Sequence, residues 1–471
     1  MDIEELTEEL IRHLGVEPTA DQTEASYRIA DFLLERGKVE AFVLRGYAGT
    51  GKTTLIKALS GVFEKYGYTT VLLAPTGRAA KVMNAYSGQP AFTIHRFIYE
   101  FDTRGDQWHF KRSINKHRNT FFIVDEVSMI SDRSAERSLS QTSLLEDLIK
   151  YVLSGQNCRL FLVGDQAQLP PIESSHSPAL DTAYLERNLY VSTRDATLKK
   201  VMRQAANSGI TANATALRQL IDDGKAAIPK FQTHFDDVIR ISDSSDFQEY
   251  LEPCMNASPR ETIILARGNK RVVQYNAHIR ARVHYFEEEL SAGDRVMISK
   301  NNYFWRENNF IANGDIAQVD RVRNIHEQYG LKFAEATLTF DEETPPYTIE
   351  TTVCLDALTD PSAGLEPQKW DQLFTGVLED YADVVGRRSK MTKVKKDPHY
   401  QALHLKFAYA ITGHKAQGGQ WDHVFVEYPY LGPDEVPDEG YHRWLYTAIT
   451  RAKKKLYLFG FPDEFFEPIA I

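Results

Sequence analysis

The sequence contains 471 residues, of which 42% are hydrophobic and 25% charged, and its net charge at pH 7 is −10. This composition is typical of a soluble globular protein, and the length allows two to four domains. No apolar run approaches the roughly 20 residues of a membrane-spanning helix, which argues against a helical membrane protein. The negative charge argues only weakly against nucleic acid as a partner, because a basic cleft can coexist with an acidic exterior.

The N-terminus is acidic and lacks a signal-peptide pattern. The three cysteines, Cys158, Cys254 and Cys354, lie about a hundred residues apart and have no metal-type spacing. We therefore expect a protein of the reducing cytoplasm.

Helical periodicity covers residues 3–14 and 22–36, with Gly15 and Pro18 between the two segments. Gln22 begins the second segment. Its amide offers both a donor and an acceptor, which is what reading an adenine edge requires. Taken alone, such a residue is more often part of the surface.

A glycine-rich loop, Gly46-Tyr-Ala-Gly-Thr-Gly-Lys-Thr53, follows an apolar strand-like run and precedes a helix-forming run. It fits GxxxxGK(S/T), in which main-chain N–H groups wrap phosphate oxygens and the helix N-terminus adds positive dipole. Lys52 is expected to reach the β- and γ-phosphates and the Thr53 hydroxyl to bind Mg²⁺. ATP contacts are predicted for Gly49, Thr50, Gly51, Lys52, Thr53 and Thr54.

Four further runs have the apolar character of strands, and helical segments separate most of them. Apolar strands that alternate with helices predict an α/β fold with a parallel sheet covered on both faces. Ligands of such sheets gather beyond the C-terminal ends of the strands. The predicted strands are Thr70–Ala74, Phe121–Asp125, Arg159–Val163 and Tyr190–Ser192.

Two of these strands end in side chains suited to ATP hydrolysis. Asp125 would hold Mg²⁺, directly or through water, and Glu126 would take the proton from the attacking water. An Asp-Glu pair at a strand end is often only polar surface, but the phosphate loop upstream favours the catalytic role. Gln168, in Gly-Asp-Gln-Ala-Gln-Leu-Pro-Pro, could contact the γ-phosphate.

Six motifs together resemble the superfamily 1 helicases of subgroup B, which include the RecD- and Dda-like members. They occur in the family's order and span most of the chain, from Gln22 to about Phe459. The resemblance implies two RecA-like motor domains, each with an insertion, that couple ATP hydrolysis to 5′-to-3′ movement on DNA. The motifs are Gly46–Thr53, Ala74–Ala80, Asp125–Met129, Gly164–Pro171, Thr412–Gly418 and Leu445–Ala452.

Family roles transfer to the residues that match these motifs. Arg203 and Arg451 would reach the nucleotide from the second motor domain and act in catalysis with Lys52, Glu126 and Gln168. Gln420 stands where many relatives carry a glutamate that holds the ribose, which weakens that contact and leaves nucleotide selectivity open. Contacts to the single strand are implied for Pro75, Thr76, Gly77, His95, Thr412, His414 and Lys415. For His95 alone, a structural role is equally consistent with the sequence.

Residues 98–119 contain aromatic and basic residues around Arg-Gly-Asp and predict a small hairpin. In the resembled family, a pin that splits the duplex occupies this position. Trp108 and Phe110 would then abut the terminal base pair. Packing of these rings on the parent domain is equally consistent with the sequence.

Residues 286–404 alternate like antiparallel strands with turns between them, which matches the SH3-like barrel of these helicases. A basic run, 386–396, is either a solvated face or a wall of the strand channel. We expect a first motor domain at 1–195 with the pin, a second at 196–285 and 405–471, and the barrel insertion at 286–404.

The sequence thus predicts an ATP- and Mg²⁺-dependent DNA helicase that acts as a monomer on single strands and duplex junctions. Two alternatives stay open: an RNA-directed helicase, and an ATP-gated clamp that binds nucleic acid without unwinding it.

Overall fold

The structure is a computed structural model. It describes residues 2–35, 39–102, 109–133, 142–172, 174–202, 207–306, 311–341, 345–361, 364–432 and 435–468, without the side chains of 101, 102, 109 and 110.

The N-terminal part of the chain builds a six-stranded parallel sheet and a separate two-stranded hairpin. Its strands are β1 (Ala41–Gly46), β2 (Thr69–Ala74), β3 (Ala91–Thr93), β4 (Tyr99–Asp102), β5 (His109–Arg112), β6 (Thr120–Val124), β7 (Arg159–Gly164) and β8 (Thr193–Leu198). Its helices are α1 (Ile3–Leu14), α2 (Ala20–Leu34), α3 (Lys52–Lys65), α4 (Gly77–Ser87), α5 (Ile94–Ile98), α6 (Leu144–Leu153) and α7 (Thr182–Asn188).

The first sheet has the strand order β3-β2-β6-β7-β1-β8, and its central strands are buried along their full length. Continuous apolar strands form such a sheet because helices cover both faces. The strand expected at Tyr190–Ser192 is wrong. Tyr190 has a φ of 57° and is exposed, and the strand begins at Thr193, opposite Ala41 of β1. The first sheet therefore extends to Leu198, beyond the expected boundary at 195.

The chain then enters a second parallel sheet, leaves it for a barrel, and returns. Before the barrel come α8 (Gly209–Asp222), β9 (Val238–Ile241), α9 (Ser244–Ala257), β10 (Thr262–Ala266) and α10 (Asn269–Arg282). The barrel region holds β11 (Arg295–Ile298), β12 (Ile316–Gln328), β13 (Leu331–Phe340), β14 (Tyr347–Cys354), α11 (Asp356–Thr359), α12 (Pro367–Asp380), α13 (Arg387–Lys395) and β15 (Leu403–Phe407). After it come β16 (Ala410–Thr412), α14 (Gly413–Ala416), β17 (Trp421–Glu427), α15 (Glu439–Ile449) and β18 (Ala452–Phe459).

The second sheet has the order β16-β10-β17-β18-β9, and β11 to β15 close a five-stranded barrel. The predicted architecture of two parallel sheets with a hairpin in the first part and a barrel in the second is confirmed. The last barrel strand, β15, was not predicted, so the insertion passes the expected limit at 404. The basic run forms helix α13. No helix in the described ranges is long and apolar enough to cross a membrane.

Candidate nucleotide site between the two sheets

A cavity of about 900 Å³ lies where the two parallel sheets meet, beyond the C-terminal ends of β1 and β6. Its walls come from both sheets, which brings together predicted residues that are up to about 400 positions apart in the sequence. The predicted residues that line it are Gly49, Gly51, Lys52, Thr53, Asp125, Glu126, Gln168, Gln420 and Arg451.

The glycine-rich loop has the sharp turn that a phosphate-binding loop needs. Gly51 has a φ of 86°, a conformation that favours glycine, and helix α3 begins at the next residue, Lys52. The Lys52 ammonium donates to the carbonyls of Gly46 at 2.7 Å and Tyr47 at 3.0 Å. Thr53 is exposed to the cavity. The loop therefore presents a cation, a hydroxyl and the start of a helix at one point.

Three predicted ATP contacts, Gln22, Thr50 and Thr54, are not among the residues that line the cavity. Gln22 is fully buried, and its side-chain carbonyl accepts from the N–H of Thr19 in a capping box. Its amide nitrogen lies 3.3 Å from the carbonyl oxygen of Thr50. Gln22 thus supports the phosphate loop from behind, and its amide is engaged within the protein.

Asp125 and Glu126 follow β6 and lie at the bottom of the cavity. Asp125 accepts hydrogen bonds from the Tyr86 hydroxyl and from the N–H of Glu126, both at 2.8 Å. Burial raises the pKa of both carboxyl groups, and the positive charge of Arg451 opposes the rise at Glu126. The Oε2 atom of Glu126 is buried and has no hydrogen-bond partner among the described residues. This oxygen is suited to receive a proton from a ligand or a water molecule.

Gln168 and Arg451 approach the cavity from opposite sheets. The side-chain oxygen of Gln168 is buried and has no partner in the described part of the chain. Arg451 is buried, and its guanidinium donates to the carbonyls of Thr447 at 3.0 Å and Gly419 at 3.2 Å. Backbone carbonyls from the part of the chain that builds the second sheet therefore hold the arginine in place.

Mg²⁺ fits the chemistry of these donors. The Thr53 hydroxyl and the Asp125 carboxylate are oxygen ligands, which Mg²⁺ prefers, and both line the cavity. Substrate phosphates and waters normally complete such a site, so a dedicated protein cage is not required. No group of three or more His, Cys, Asp or Glu side chains suited to a metal occurs among the described residues.

The seam is the boundary where the parts of the chain that build the two parallel sheets meet. The sequence did not predict several residues that lie there. The Arg78 guanidinium stacks on the Trp421 ring at 3.7 Å, which joins α4 of the first sheet to β17 of the second. Tyr446 is fully buried between the sheets and contacts the phosphate loop. Tyr446 belongs to the motif Leu445–Ala452, but no neighbouring residue in the sequence indicates that it contacts the phosphate loop. No sequence pattern predicts that Tyr86 donates a hydrogen bond to Asp125.

The residues with implied DNA contacts follow strands at or next to one edge of each sheet: β2 and β3 in the first, and β16 in the second. Pro75, Thr76 and Gly77 follow β2, and the Thr76 hydroxyl caps α4 by accepting from the N–H of Ala79. His95 lies in α5, after β3; it is half-buried, and burial lowers its pKa to about 4, so it is neutral at pH 7.

On the second sheet, Thr412, His414 and Lys415 follow the edge strand β16. Lys415 donates to the Asn313 side chain of the barrel at 3.0 Å, and burial lowers the pKa of His414. Gly418 has a φ of 72°, and a Cβ placed there would lie 2.7 Å from that of Ala79. The segment that follows β16 therefore contacts the segment that follows β2, so the two groups of residues with implied DNA contacts lie close together across the seam.

The predicted hairpin is formed by β4 and β5 in antiparallel register. Its base is tied to α6 through the buried Asp147, which accepts from the Tyr99 hydroxyl at 2.8 Å and from Arg112 at 3.1 Å. Arg203, Trp108 and the Phe110 side chain lie outside the described residues.

These features define a class: a P-loop nucleotide-binding protein with two parallel sheets that share one cavity. Family profiles match two parts of the chain. Residues 20–242 match an AAA domain, and residues 407–459 match a UvrD-like helicase C-terminal domain.

Characterised relatives sharpen this class. The chain is 26% identical over 434 residues to the ATP-dependent RecD2 DNA helicase of Deinococcus radiodurans, covering 89% of this chain and 46% of the relative. It is 24% identical over 459 residues to the ATP-dependent DNA helicase Dda of Enterobacteria phage T4, covering 87% of this chain and 92% of the relative. The resemblance to RecD- and Dda-like helicases of superfamily 1 subgroup B is confirmed by these matches.

The chain spans less than half the length of the RecD2 relative, and 36% of an uncharacterized Methanocaldococcus jannaschii protein that is 24% identical to it. Among solved structures, a Bacteroides Pif1 bound to single-stranded DNA is 17% identical, with a TM-score of 0.42, and the match covers 98% of this chain and 94% of that one.

Proposed function

We propose that this protein is an ATP-dependent DNA helicase that moves on single-stranded DNA and separates duplexes. One observation carries the proposal: a single cavity joins Lys52, Asp125 and Glu126 of the first sheet to Arg451 of the second. A motor needs this arrangement, because completing the site requires both sheets to approach one ligand. The names of the RecD2 and Dda relatives support the same activity.

In the proposed hydrolysis, Lys52 and the loop N–H groups hold the phosphates, and Thr53 and Asp125 hold Mg²⁺, which neutralises charge on the phosphates when bound. Glu126 accepts a proton from the attacking water through its unpartnered Oε2 atom. Gln168 and Arg451 stabilise the charge of the transferring phosphoryl group.

Two further roles complete the nucleotide site. Arg203 is proposed to act with Arg451. Its neighbour Met202 donates its N–H to the carbonyl of Gly49 at 2.9 Å, so the chain passes the phosphate loop immediately before Arg203. Gln22 is proposed to select adenine, and this would require its amide to leave Thr50; Thr50, Thr54 and Gln420 are proposed as further ATP contacts.

For movement, we propose that Pro75, Thr76, Gly77 and His95 grip the strand backbone from one side and Thr412, His414 and Lys415 from the other. Alternate tightening of the two grips, as the cleft closes and opens, would advance the strand. Because His95 is neutral at pH 7, its contact would be a hydrogen bond rather than an ion pair. Travel in the 5′-to-3′ direction follows only from the resemblance.

The proposed domain limits are those expected from the sequence, moved to Leu198 and Phe407, where the first sheet and the barrel end. The hairpin is proposed as the pin, with Trp108 and Phe110 against the terminal base pair. We further propose a monomer that acts at duplex junctions in the cytoplasm; the free thiols of Cys158, Cys254 and Cys354 are consistent with a reducing compartment.

A strand-displacement assay tests this proposal. Duplexes with a 5′ tail, a 3′ tail or no tail are incubated with Mg·ATP, and ATP turnover is measured beside matched DNA and RNA oligonucleotides. We expect separation of the 5′-tailed duplex and stimulation by DNA. Stimulation by RNA alone would indicate an RNA-directed helicase. Turnover that stays at the basal level with saturating oligonucleotide would indicate a clamp.

A further inference from the structure

The hydroxyl of Tyr446 joins three elements at the seam between the two sheets. Tyr446 belongs to α15 and is buried. Its oxygen accepts from the N–H of Ala48, in the phosphate loop, at 2.8 Å. It also donates to Oδ2 of Asp165, at the end of β7, at 2.7 Å. Since an N–H can only donate and a carboxylate accepts, the direction of both hydrogen bonds is fixed.

Asp165 carries this contact to the turn that holds Gln168. Its other oxygen, Oδ1, accepts from the N–H of Ala167 at 2.9 Å, and its carbonyl accepts from the N–H of Gln168 at 3.3 Å. The Asp165 carboxylate therefore links the Tyr446 hydroxyl to the backbone that positions the Gln168 side chain. A movement of Tyr446 would therefore displace both the phosphate loop and this turn.

The helix that carries Tyr446 leads directly to Arg451. The Thr450 hydroxyl donates to the carbonyl of Tyr446 at 2.8 Å, and Arg451 donates to the carbonyl of Thr447 at 3.0 Å. Arg451 and the Tyr446 hydroxyl are thus parts of one rigid segment. Any shift of α15 relative to the first sheet moves both together.

A second, independent contact anchors the same loop. The Tyr47 hydroxyl donates to the Asp222 carboxylate of α8 at 2.9 Å, and Arg218 of α8 stacks on the Tyr47 ring at 4.6 Å. Two consecutive loop residues, Tyr47 and Ala48, are therefore attached to helices of the second sheet. The phosphate loop, which follows β1 of the first sheet, is therefore also fixed to the second sheet's helices by contacts that do not involve a phosphate.

We propose that Tyr446 is a positioning residue whose hydroxyl sets the phosphate loop and the Gln168 turn in register with Arg451. This inference rests on the proposed function, because it makes the DNA-stimulated part of ATP hydrolysis depend on that hydroxyl. Without it, the buried N–H of Ala48 and the Asp165 carboxylate lose a partner, and the two segments relax independently of α15.

Tyr446→Phe removes the hydroxyl and keeps the buried ring. Tyr441→Phe is the matched control: Tyr441 lies in the same helix, is equally buried, and its hydroxyl has no hydrogen-bond partner among the described residues. Any effect of removing a buried tyrosine hydroxyl from α15 in general would appear in both variants. Asp165→Ala removes both carboxylate oxygens and so breaks the same link from the other side if Tyr446→Phe folds poorly.

Hydrogen–deuterium exchange of the nucleotide-free protein tests the register directly. We expect the segments 46–53 and 164–169 to exchange about tenfold faster in Tyr446→Phe, as expected for a lost buried hydrogen bond, and at the wild-type rate in Tyr441→Phe. The same result is expected for Asp165→Ala. Unchanged exchange in both segments of Tyr446→Phe would overturn the proposal.

ATP turnover with and without a single-stranded DNA oligonucleotide tests the consequence. In Tyr446→Phe the ratio of stimulated to basal kcat should fall about tenfold, with a smaller change in KM for ATP, and in Tyr441→Phe it should not change. A Tyr446→Phe ratio equal to that of the control would overturn the coupling role. Absence of stimulation in the wild-type protein would instead refute the proposed function, and the exchange experiment would still decide the register.

Discussion

Each parallel sheet has a partly buried glutamate at or just after the end of a central strand, and the two carboxyl groups have opposite surroundings. Glu427 ends β17, and its Oε1 accepts from Arg271 at 2.6 Å and from the Tyr275 hydroxyl at 2.7 Å. Glu126 follows β6, and its Oε2 is buried without a partner among the described residues. The Glu427 oxygen has its hydrogen-bond partners within the protein, whereas the Glu126 oxygen has none among the described residues, although each residue lines a cavity.

The difference teaches that the fold alone does not specify a site. A buried carboxyl oxygen without a partner costs about 1–3 kcal/mol, so its retention needs a reason outside folding stability. A ligand or a water molecule that satisfies Glu126 supplies that reason. At Glu427 the arginine and the tyrosine already satisfy the charge, and only a structural role remains.

The largest effect is expected for Glu126→Gln. The substitution removes the proton acceptor but keeps the size of the side chain, so ATP turnover should fall about 10²- to 10⁴-fold while nucleotide binding is retained. Glu427→Gln is the matched control and should change turnover less than about twofold. Steady-state ATPase assays and titration with a fluorescent nucleotide measure both quantities. Near-normal hydrolysis by Glu126→Gln would remove Glu126 from its proposed role.

The pH dependence of turnover should reflect the burial of Glu126. Burial raises its pKa above the ordinary value of 4.5, and only the ionised form can accept a proton. As the pH falls, the rate should therefore begin to decline at a higher pH than for an exposed glutamate, by about tenfold per unit below the pKa. A kcat profile measures this. The residual rate of Glu126→Gln should lack the decline, and a wild-type profile that is flat down to pH 4.5 would contradict it.

Alanine at both Trp108 and Phe110 should slow duplex separation by roughly tenfold, since loss of aromatic stacking on a base costs about 1–3 kcal/mol. DNA-stimulated ATP turnover should stay within twofold, because no described residue of the hairpin lines the nucleotide cavity. Parallel strand-displacement and ATPase assays separate the two effects. Unchanged strand separation would assign these rings to packing.

A smaller effect is expected for Arg78→Ala, which removes the stacking on Trp421 across the seam. A cation–π contact of this kind is worth about 1 kcal/mol when partly desolvated, so KM for ATP should rise about fivefold. Arg306→Ala removes a comparable contact, to the Tyr347 ring at 3.6 Å, that lies wholly within the barrel region. The KM of this variant should not change. Equal effects of the two variants would show that the contact across the seam has no specific role in ATP binding.

Local patterns account for what the sequence could predict. The phosphate loop, the Asp-Glu pair and the barrel are encoded in short spacings and alternations, and the structure contains all three. The position of β8 was wrong because Tyr190 adopts a left-handed turn that apolar residues alone do not reveal. The capping role of Gln22 is predictable from the sequence, since Thr19 and Gln22 have the spacing of a capping box.

Contacts between distant segments could not be predicted. Ala48 and Tyr446 are separated by 398 positions, and no periodicity links them. The last barrel strand, β15, was missed because it pairs with β11 and β14, and its apolar run resembles a strand of the parallel sheet. Such pairings depend on the closure of the tertiary structure rather than on local propensity.

The position of the barrel in the chain has a consequence for biosynthesis. Strand β10 is central in the second sheet, yet both of its neighbours, β16 and β17, are synthesised roughly 140 residues later. At about 5–20 residues per second, a ribosome needs roughly 7–30 s to deliver them. During that interval β10 has two unsatisfied edges, which makes the nascent chain vulnerable to aggregation and a client for chaperones.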